Sequence, residues 1–227
     1  MAGKQISRES LSLQLYNNLR NSLMDGQYAP GQRLTISGIA EEFGTSITPV
    51  REAIFRLVSE RALDVRAATS VQVPDLNFAS LREVQAIRMQ LEGHAASVAA
   101  LNITPAQLSG LKSLNANFIK AAKSNPTKAS NLNRDFHFAV MSYSNMPIVV
   151  NICENMWVLM GPFLRLFHDR TPIRDLSSED HKHFELIAAL EARDEARSRR
   201  AMEDDIRWGL DLIEQLEQEM LAVKAEA

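Results

Sequence analysis

Two features of the sequence predict a mainly α-helical fold. Ala, Leu, Glu and Arg dominate a chain in which only 6% of residues are aromatic. Apolar residues also recur three or four positions apart through most of its length, the period of a half-buried helix. A short alternating stretch around residue 70 is the exception and predicts strands. With 227 residues the chain suffices for one large or two small domains, and 45% hydrophobic with 23% charged content is that of an ordinary globular protein.

The single cysteine, Cys153, excludes an internal disulfide framework and any cysteine-based zinc module. The opening residues, MAGKQISRESLSLQL, hold no apolar segment of the kind a secretory signal needs. The most apolar stretch, 146–167, is interrupted by Asn151, Glu154 and Asn155 and is not expected to span a bilayer. The expectation is therefore a cytoplasmic protein with no membrane partner. A net charge of −3 gives no basic footprint over the whole chain, so nucleic-acid contact would have to rest on a local surface.

In the first 75 residues, Leu11, Leu15, Leu19 and Leu23 mark an amphipathic helix that should stop at Asp25-Gly26, with Gly26 as its C-cap. After a turn at Ala29-Pro30-Gly31, the residues Ile36, Ile39, Ala40 and Phe43 trace a short helix ending at Gly44. Val50, Ile54, Leu57 and Val58 share one face of a third helix, with Ser46 as the expected N-cap and Pro49 tolerated in its first turn. Leu63–Arg66 and Val71–Val73 alternate as two short strands around Ala67-Ala68-Thr69-Ser70, and Pro74 closes the segment. Three helices and a two-stranded ribbon in this length outline a winged helix-turn-helix, residues 1–75.

From 76 to 227 the patterns are helical: Leu81–Leu101, Pro105–Ala122, Lys128–Tyr143, Pro147–His168, Glu179–Ala192 and Glu195–Val223. Thr104-Pro105-Ala106-Gln107 reads as a capping box with proline at the first helical position. Asn125-Pro126, Met146-Pro147 and Thr171-Pro172 mark connections, and Gly161-Pro162 is expected to kink or split the fourth of these helices. Short links between six helices predict an antiparallel bundle.

Pro30-Gly31-Gln32-Arg33-Leu34, followed by the string from Gly44 to Ile54 (GTSITPVREAI), resembles the DNA-binding domain of GntR-family repressors. Arg88-Met89-Gln90-Leu91-Glu92, Ala95-Ala96 and Ala99-Ala100 resemble the opening helix of the ligand-binding (FCD) domain in the FadR-like branch. Phe136-His137 and the segment from His183 to Met202 extend that resemblance over nearly the whole chain. Six helices in about 150 residues is similar to the smaller, VanR-like type. The resemblance implies a ligand-responsive, homodimeric transcription regulator, a repressor and not an enzyme, that binds double-stranded operator DNA and senses an organic-acid-like metabolite.

With Val50, Ile54 and Leu57 facing inward, Ile47, Thr48 and Arg51 fall toward the outer face of the third helix, and a recognition helix contacts bases from its N-terminal end. Arg51 offers a fork to guanine O6 and N7, and Ser46 and Thr48 suit phosphate or base contacts. The competing reading is a surface ion pair of Arg51 with Glu52 or Glu60. Family members often carry Arg where Ile47 stands, and a wing Gly where Ala67-Ala68 stand. Ile47 suits a thymine methyl, and Arg66 is left as the wing's phosphate contact. Residues 1–75 contain eight Lys/Arg and eight Asp/Glu, a net charge of zero, so dimerisation has to supply a second half-site.

Asn133 and His137 are four apart and project from one helix face, while His183 and Asp205 lie on the last two helices. In the family pattern these four places usually read Asp, His, His, His and hold a divalent metal. The resemblance therefore implies a site of His137, His183 and Asp205 with Asn133 as a weak fourth ligand, a set that suits zinc, nickel, manganese or iron. The bland alternative is a decayed site whose polar groups satisfy one another. His181, two residues from His183, should point to the surface. Arg88 is either the i, i+4 partner of Glu92 or a clamp for an effector carboxylate, with Arg165 as a second candidate. Two further readings remain open: a metal-dependent enzyme using the two His and one carboxylate, with substrate held by Arg88, and a DNA-binding dimer that senses nothing.

Overall fold

The computed structural model describes residues 8–75, 77–170 and 181–225, without the side chains of 8–10, 164–170 and 220–225. The Thr171-Pro172 connection and the Arg165 side chain thus lie outside the described residues. Among those described, no helix is long and apolar enough to cross a membrane. The chain divides into two compact units, Met1–Asp75 with Trp157–Arg165, and Leu76–Met156 with Leu166–Ala227.

The first unit begins with α1 (Arg8–Met24). Leu15, Leu19 and Leu23 are buried as the four-residue spacing predicts, but Leu11 is exposed and Ser12 buried in its stead. Gly26, in the left-handed region at φ 65°, closes the helix with its N–H on the Leu23 carbonyl. A three-residue strand, β1 (Arg33–Thr35), leads into α2 (Ile36–Glu42), whose N-cap Thr35 accepts the Gly38 N–H through its hydroxyl. Gly44, at φ 60°, makes the turn to α3 (Ile47–Ser59), which buries Val50, Ala53, Ile54 and Leu57. Ser46 stands at the N-cap of α3, but its side chain makes no cap bond.

Strands β2 (Asp64–Ala67) and β3 (Ser70–Gln72) are the predicted pair. The sheet nevertheless has three antiparallel strands in the order β1-β3-β2, not the expected two-stranded ribbon. β1 holds one buried apolar residue, Leu34, between two exposed ones, too little to show a period in sequence. Its partner makes it a strand: Leu34 lies opposite Val71, and the Arg33 guanidinium donates to the Ser70 hydroxyl at 3.0 and 3.2 Å.

The second unit is helical: α4 (Phe78–Asn102), α5 (Pro105–Ala122), α6 (Pro126–Tyr143), parts of α7 (Pro147–Arg170), then α8 (Lys182–Glu191) and α9 (Glu195–Ala225). The capping box at Thr104 and Gln107 forms with Pro105 in the first turn. Asn125 caps α6 on the Lys128 N–H, so α6 starts at Pro126, two residues before its apolar pattern. Of the two expectations at Gly161-Pro162, a kink or a split, the split does not occur: α7 passes through as one helix with Pro162 inside it. Ala96, Ala99 and Ala100 of α4 let α9 pack closely along it, and their small side chains join Phe136, Val140, Leu186, Leu190, Met202 and Ile206 in one core.

Within the first unit the α7 segment presses on the end of α1, where a Cβ on Gly161 would overlap the Leu23 carbonyl. On exposed α5, by contrast, a Cβ on Gly110 would meet nothing within 4 Å. Gly161→Ala is therefore expected to destabilise by roughly 1–3 kcal/mol through overpacking, at about 2–4 °C in Tm for each kcal/mol at this chain length. Gly110→Ala should leave Tm unchanged or raise it, because alanine is the better helix former by ~0.5–1 kcal/mol. Thermal unfolding of the two variants beside the parent checks both; equal melting temperatures for Gly161→Ala and the parent would refute the close approach.

Candidate functional site

Five helices of the second unit converge on a buried polar cluster. His137 of α6 has Nε2 2.9 Å from Asp205 Oδ2 of α9, and its Nδ1 2.8 Å from Glu92 Oε2 of α4. His183 of α8 has Nδ1 3.1 Å from Asn115 Oδ1 of α5. Its other nitrogen, Nε2, lies 3.8 Å from Asp205 Oδ2 and has no hydrogen-bond partner, although the residue is 0% exposed. His137, His183 and Asp205 can each offer one ligand atom, all within 4.8 Å of one another. The Phe136 ring stacks on His183 with centroids 3.9 Å apart, which fixes the imidazole plane.

Both imidazoles are thus held at Nδ1 by an oxygen and present Nε2 to a common point beside Asp205. An outer hydrogen bond of this kind sets tautomer and ring orientation in histidine metal ligands. A buried polar atom left without a partner is costly, and here it is a nitrogen lone pair aimed at a carboxylate oxygen. Both observations fit a divalent cation held by His137, His183 and Asp205.

The electrostatics of the two histidines differ in sign. Burial opposes charge on His137, but the hydrogen bonds to Asp205 and Glu92, and their negative charge, outweigh it and raise its pKa to about 9. Burial depresses His183 to about 3, with only Asp205 opposing, so this ring is neutral at pH 7. Glu92 and Asp205 stay below the ordinary carboxylate range despite burial: Arg88 and His137 hold Glu92 ionised, and the hydrogen bond and charge of protonated His137 do the same for Asp205. His137 consequently carries on Nε2 a proton that a cation there would replace.

Asn133 lies half-buried one turn before His137 on α6. Arg88 is buried, with Nε donating to Glu92 Oε1 at 2.7 Å and Nη1 to Gln85 Oε1 at 2.8 Å, so the pair with Glu92 is present and sits within the same cluster. His181 is half-buried and not simply on the surface: it caps α8, accepting the His183 N–H at 3.3 Å, with its ring against Phe118. Glu92 and Asn115 support the site at the two Nδ1 atoms, and the sequence pattern does not single them out for it. Glu92 was legible only as the i+4 neighbour of Arg88, and a buried Asn in α5 leaves no sequence signal.

In the first unit, Ser46, Ile47, Thr48 and Arg51 are exposed at the N-terminal end of α3. Among the described residues no carboxylate pairs with Arg51. Glu60, its alternative partner, receives the Tyr16 hydroxyl at 2.7 Å and lies 3.7 Å from the Arg20 guanidinium. Arg66 is exposed on β2 and donates to the Gln72 side chain.

Residues 11–73 match the family described as bacterial regulatory proteins, gntR family, and residues 83–207 match the FCD domain. The chain is 36% identical over 207 residues to the HTH-type transcriptional regulator McbR of Escherichia coli, covering 91% of this chain and 94% of McbR. The solved structure of E. coli McbR/YncC superposes with a TM-score of 0.86 over 91% of this chain and 98% of that one. The HTH-type transcriptional repressor RspR of E. coli is 23% identical over 93% of this chain and 92% of its own length. A putative GntR regulator from Rhodococcus shares the fold at 19% identity, with a TM-score of 0.71 over 90% of this chain and 97% of the other. These matches and the helix-turn-helix with its three-stranded wing agree: the chain belongs to the GntR family, a DNA-binding transcriptional regulator with an FCD domain and not an enzyme.

Proposed function

We propose that this regulator is a cytoplasmic homodimeric repressor whose helical part, residues 76–227, senses a small organic acid beside a divalent metal, and whose residues 1–75 bind the operator. The observation that carries the sensing half is the buried, unpartnered Nε2 of His183 facing Asp205 and His137. The repressor named among its relatives supports the sign of regulation.

A bound divalent ion supplies a Lewis-acidic centre with positions open to a carboxylate. His137, His183 and Asp205 would hold it, with Asn133 as a weak oxygen donor one turn from His137. Zinc, nickel, manganese and iron all suit two imidazoles and a carboxylate. Glu92 and Asn115 keep both rings turned toward the site. Arg88 would neutralise the far end of the effector. The effector then controls DNA affinity only to the extent that it binds two conformations unequally. The existing bonds of Arg88 to Glu92 and Gln85 favour a second reading, in which Arg88 is structural and the bundle only dimerises.

At the operator, Arg51 reads guanine, Ser46, Ile47 and Thr48 contact neighbouring bases and phosphates, and Arg66 holds a phosphate from the wing.

Arg51→Ala is expected to cost about 1–3 kcal/mol at a selected operator and to relax base preference at one position, with a much smaller change in non-specific binding. Undiminished operator affinity in a binding titration would remove Arg51 from the reading surface.

Metal should copurify with the protein on elemental analysis, and removing it should lower Tm, because an ion bound only to the folded state stabilises by mass action. His183→Ala should abolish binding. Asn133→Asp combined with Asp205→His should tighten zinc, replacing an amide and a carboxylate by a carboxylate and an imidazole. If no metal copurifies and added zinc, nickel and manganese leave Tm unchanged, the metal site is refuted; if carboxylic acids also leave Tm unchanged, the dimer without an effector stands.

A further inference from the structure

The exposed side of α3 carries an apolar pair that the packing of the first unit does not use. Phe55 is 77% exposed, the most exposed large apolar side chain among the described residues, and Ile47 is 48% exposed. Buried Val50, Ala53, Ile54 and Leu57 fix the inward side of the helix, and at 3.6 residues per turn Phe55 and Thr48 fall opposite them. Ile47, Arg51 and Phe55 follow one another at i, i+4 and i+8, so they form one ridge with Arg51 at its centre. At 1.5 Å rise per residue the ridge is roughly 12 Å long, with about 6 Å between successive members.

Scattered apolar residues on a surface need no explanation. Phe55 lies one turn beyond Arg51 on the same exposed side of α3, in line with the arginine and Ile47. Affinity also cannot come from bulk charge, because residues 1–75 carry eight basic and eight acidic side chains. The apolar feature that base edges present in the major groove is the C5-methyl of thymine, and phenylalanine is among the side chains that meet it.

We propose that Ile47 and Phe55 each read a thymine methyl group, one on either side of the guanine read by Arg51. Each operator half-site then places a thymine within about two base pairs of that guanine on both sides, given a base-pair rise of ~3.4 Å. Phe55 is a specificity-determining residue, and the ridge reads apolar, guanine, apolar along the groove. This rests on α3 being the recognition helix.

The test uses the full-length protein and an operator selected from random duplexes, in which each thymine is replaced in turn by deoxyuracil. That change removes the methyl group and keeps base pairing and every hydrogen-bonding edge. Loss of the methyl at the two flanking thymines is expected to weaken binding about four-fold each, the factor for one buried carbon. Phe55→Ala should erase the thymine-over-deoxyuracil preference at one of these positions and Ile47→Ala at the other, with an unchanged melting temperature and unchanged non-specific binding. The proposal is overturned if Phe55→Ala keeps the parent's preference at every thymine, or if Phe55→Ala instead dissociates the dimer. If Arg51→Ala leaves operator binding intact, the recognition-helix reading itself fails. If Arg51→Ala weakens binding while deoxyuracil has no effect anywhere, only the methyl reading fails.

Discussion

Glu92 is a carboxylate with no exposure to solvent, midway along α4, and the site is organised around its need for partners. An unpaired ion at such a depth is far too costly to keep. Arg88 neutralises it from the preceding turn of α4, and His137 reaches it from α6. His137 is thereby turned so that its second nitrogen meets Asp205 of α9. One buried charge thus dictates which helix faces meet and which imidazole nitrogen looks into the site.

The opposite states of the two histidines follow from that arrangement. His137 lies between two carboxylates and keeps its proton, whereas His183 lies among Phe118, Phe136 and an amide and stays neutral. The cluster therefore has one nitrogen already in ligand form and one whose proton must leave for a cation to enter. Metal binding to such a set is coupled to proton release. A single anionic ligand, Asp205, leaves a bound divalent cation with positive charge to spare, which is what an anionic effector would meet.

The first unit solves a different problem. Its three short strands and three helices bury a compact apolar core, and the net charge of zero leaves little long-range attraction for DNA. Tyr16 and Arg20 occupy Glu60 and so remove a competitor for Arg51. The exposed end of α3 consequently combines one uncommitted guanidinium with apolar and hydroxyl side chains, a surface suited to base edges more than to phosphates.

Local pattern was enough for nearly every helix. The leucine spacing of α1, the inward set of α3, the Thr104 to Gln107 box and the proline-marked links are encoded within a few residues of one another, and local encoding survives any tertiary context. The register of the family motif pointed to His137, His183 and Asp205 for the same reason, each being identified by its place in its own helix. What local pattern leaves out is anything whose cause lies across the fold. β1 is a strand because β3 lies beside it, Leu11 is exposed because Ser12 turns inward, and His181 is a cap because α8 starts where it does. Asn115 and Glu92 are supports of the site only because α5 and α4 bring them to the two Nδ1 atoms. The sequence by itself determined the helices, the two-part organisation and the chemical types available at the site. Only the tertiary structure decided their pairing, because a hydrogen bond between residues 45 or 68 positions apart is set by how helices pack and not by how each one forms.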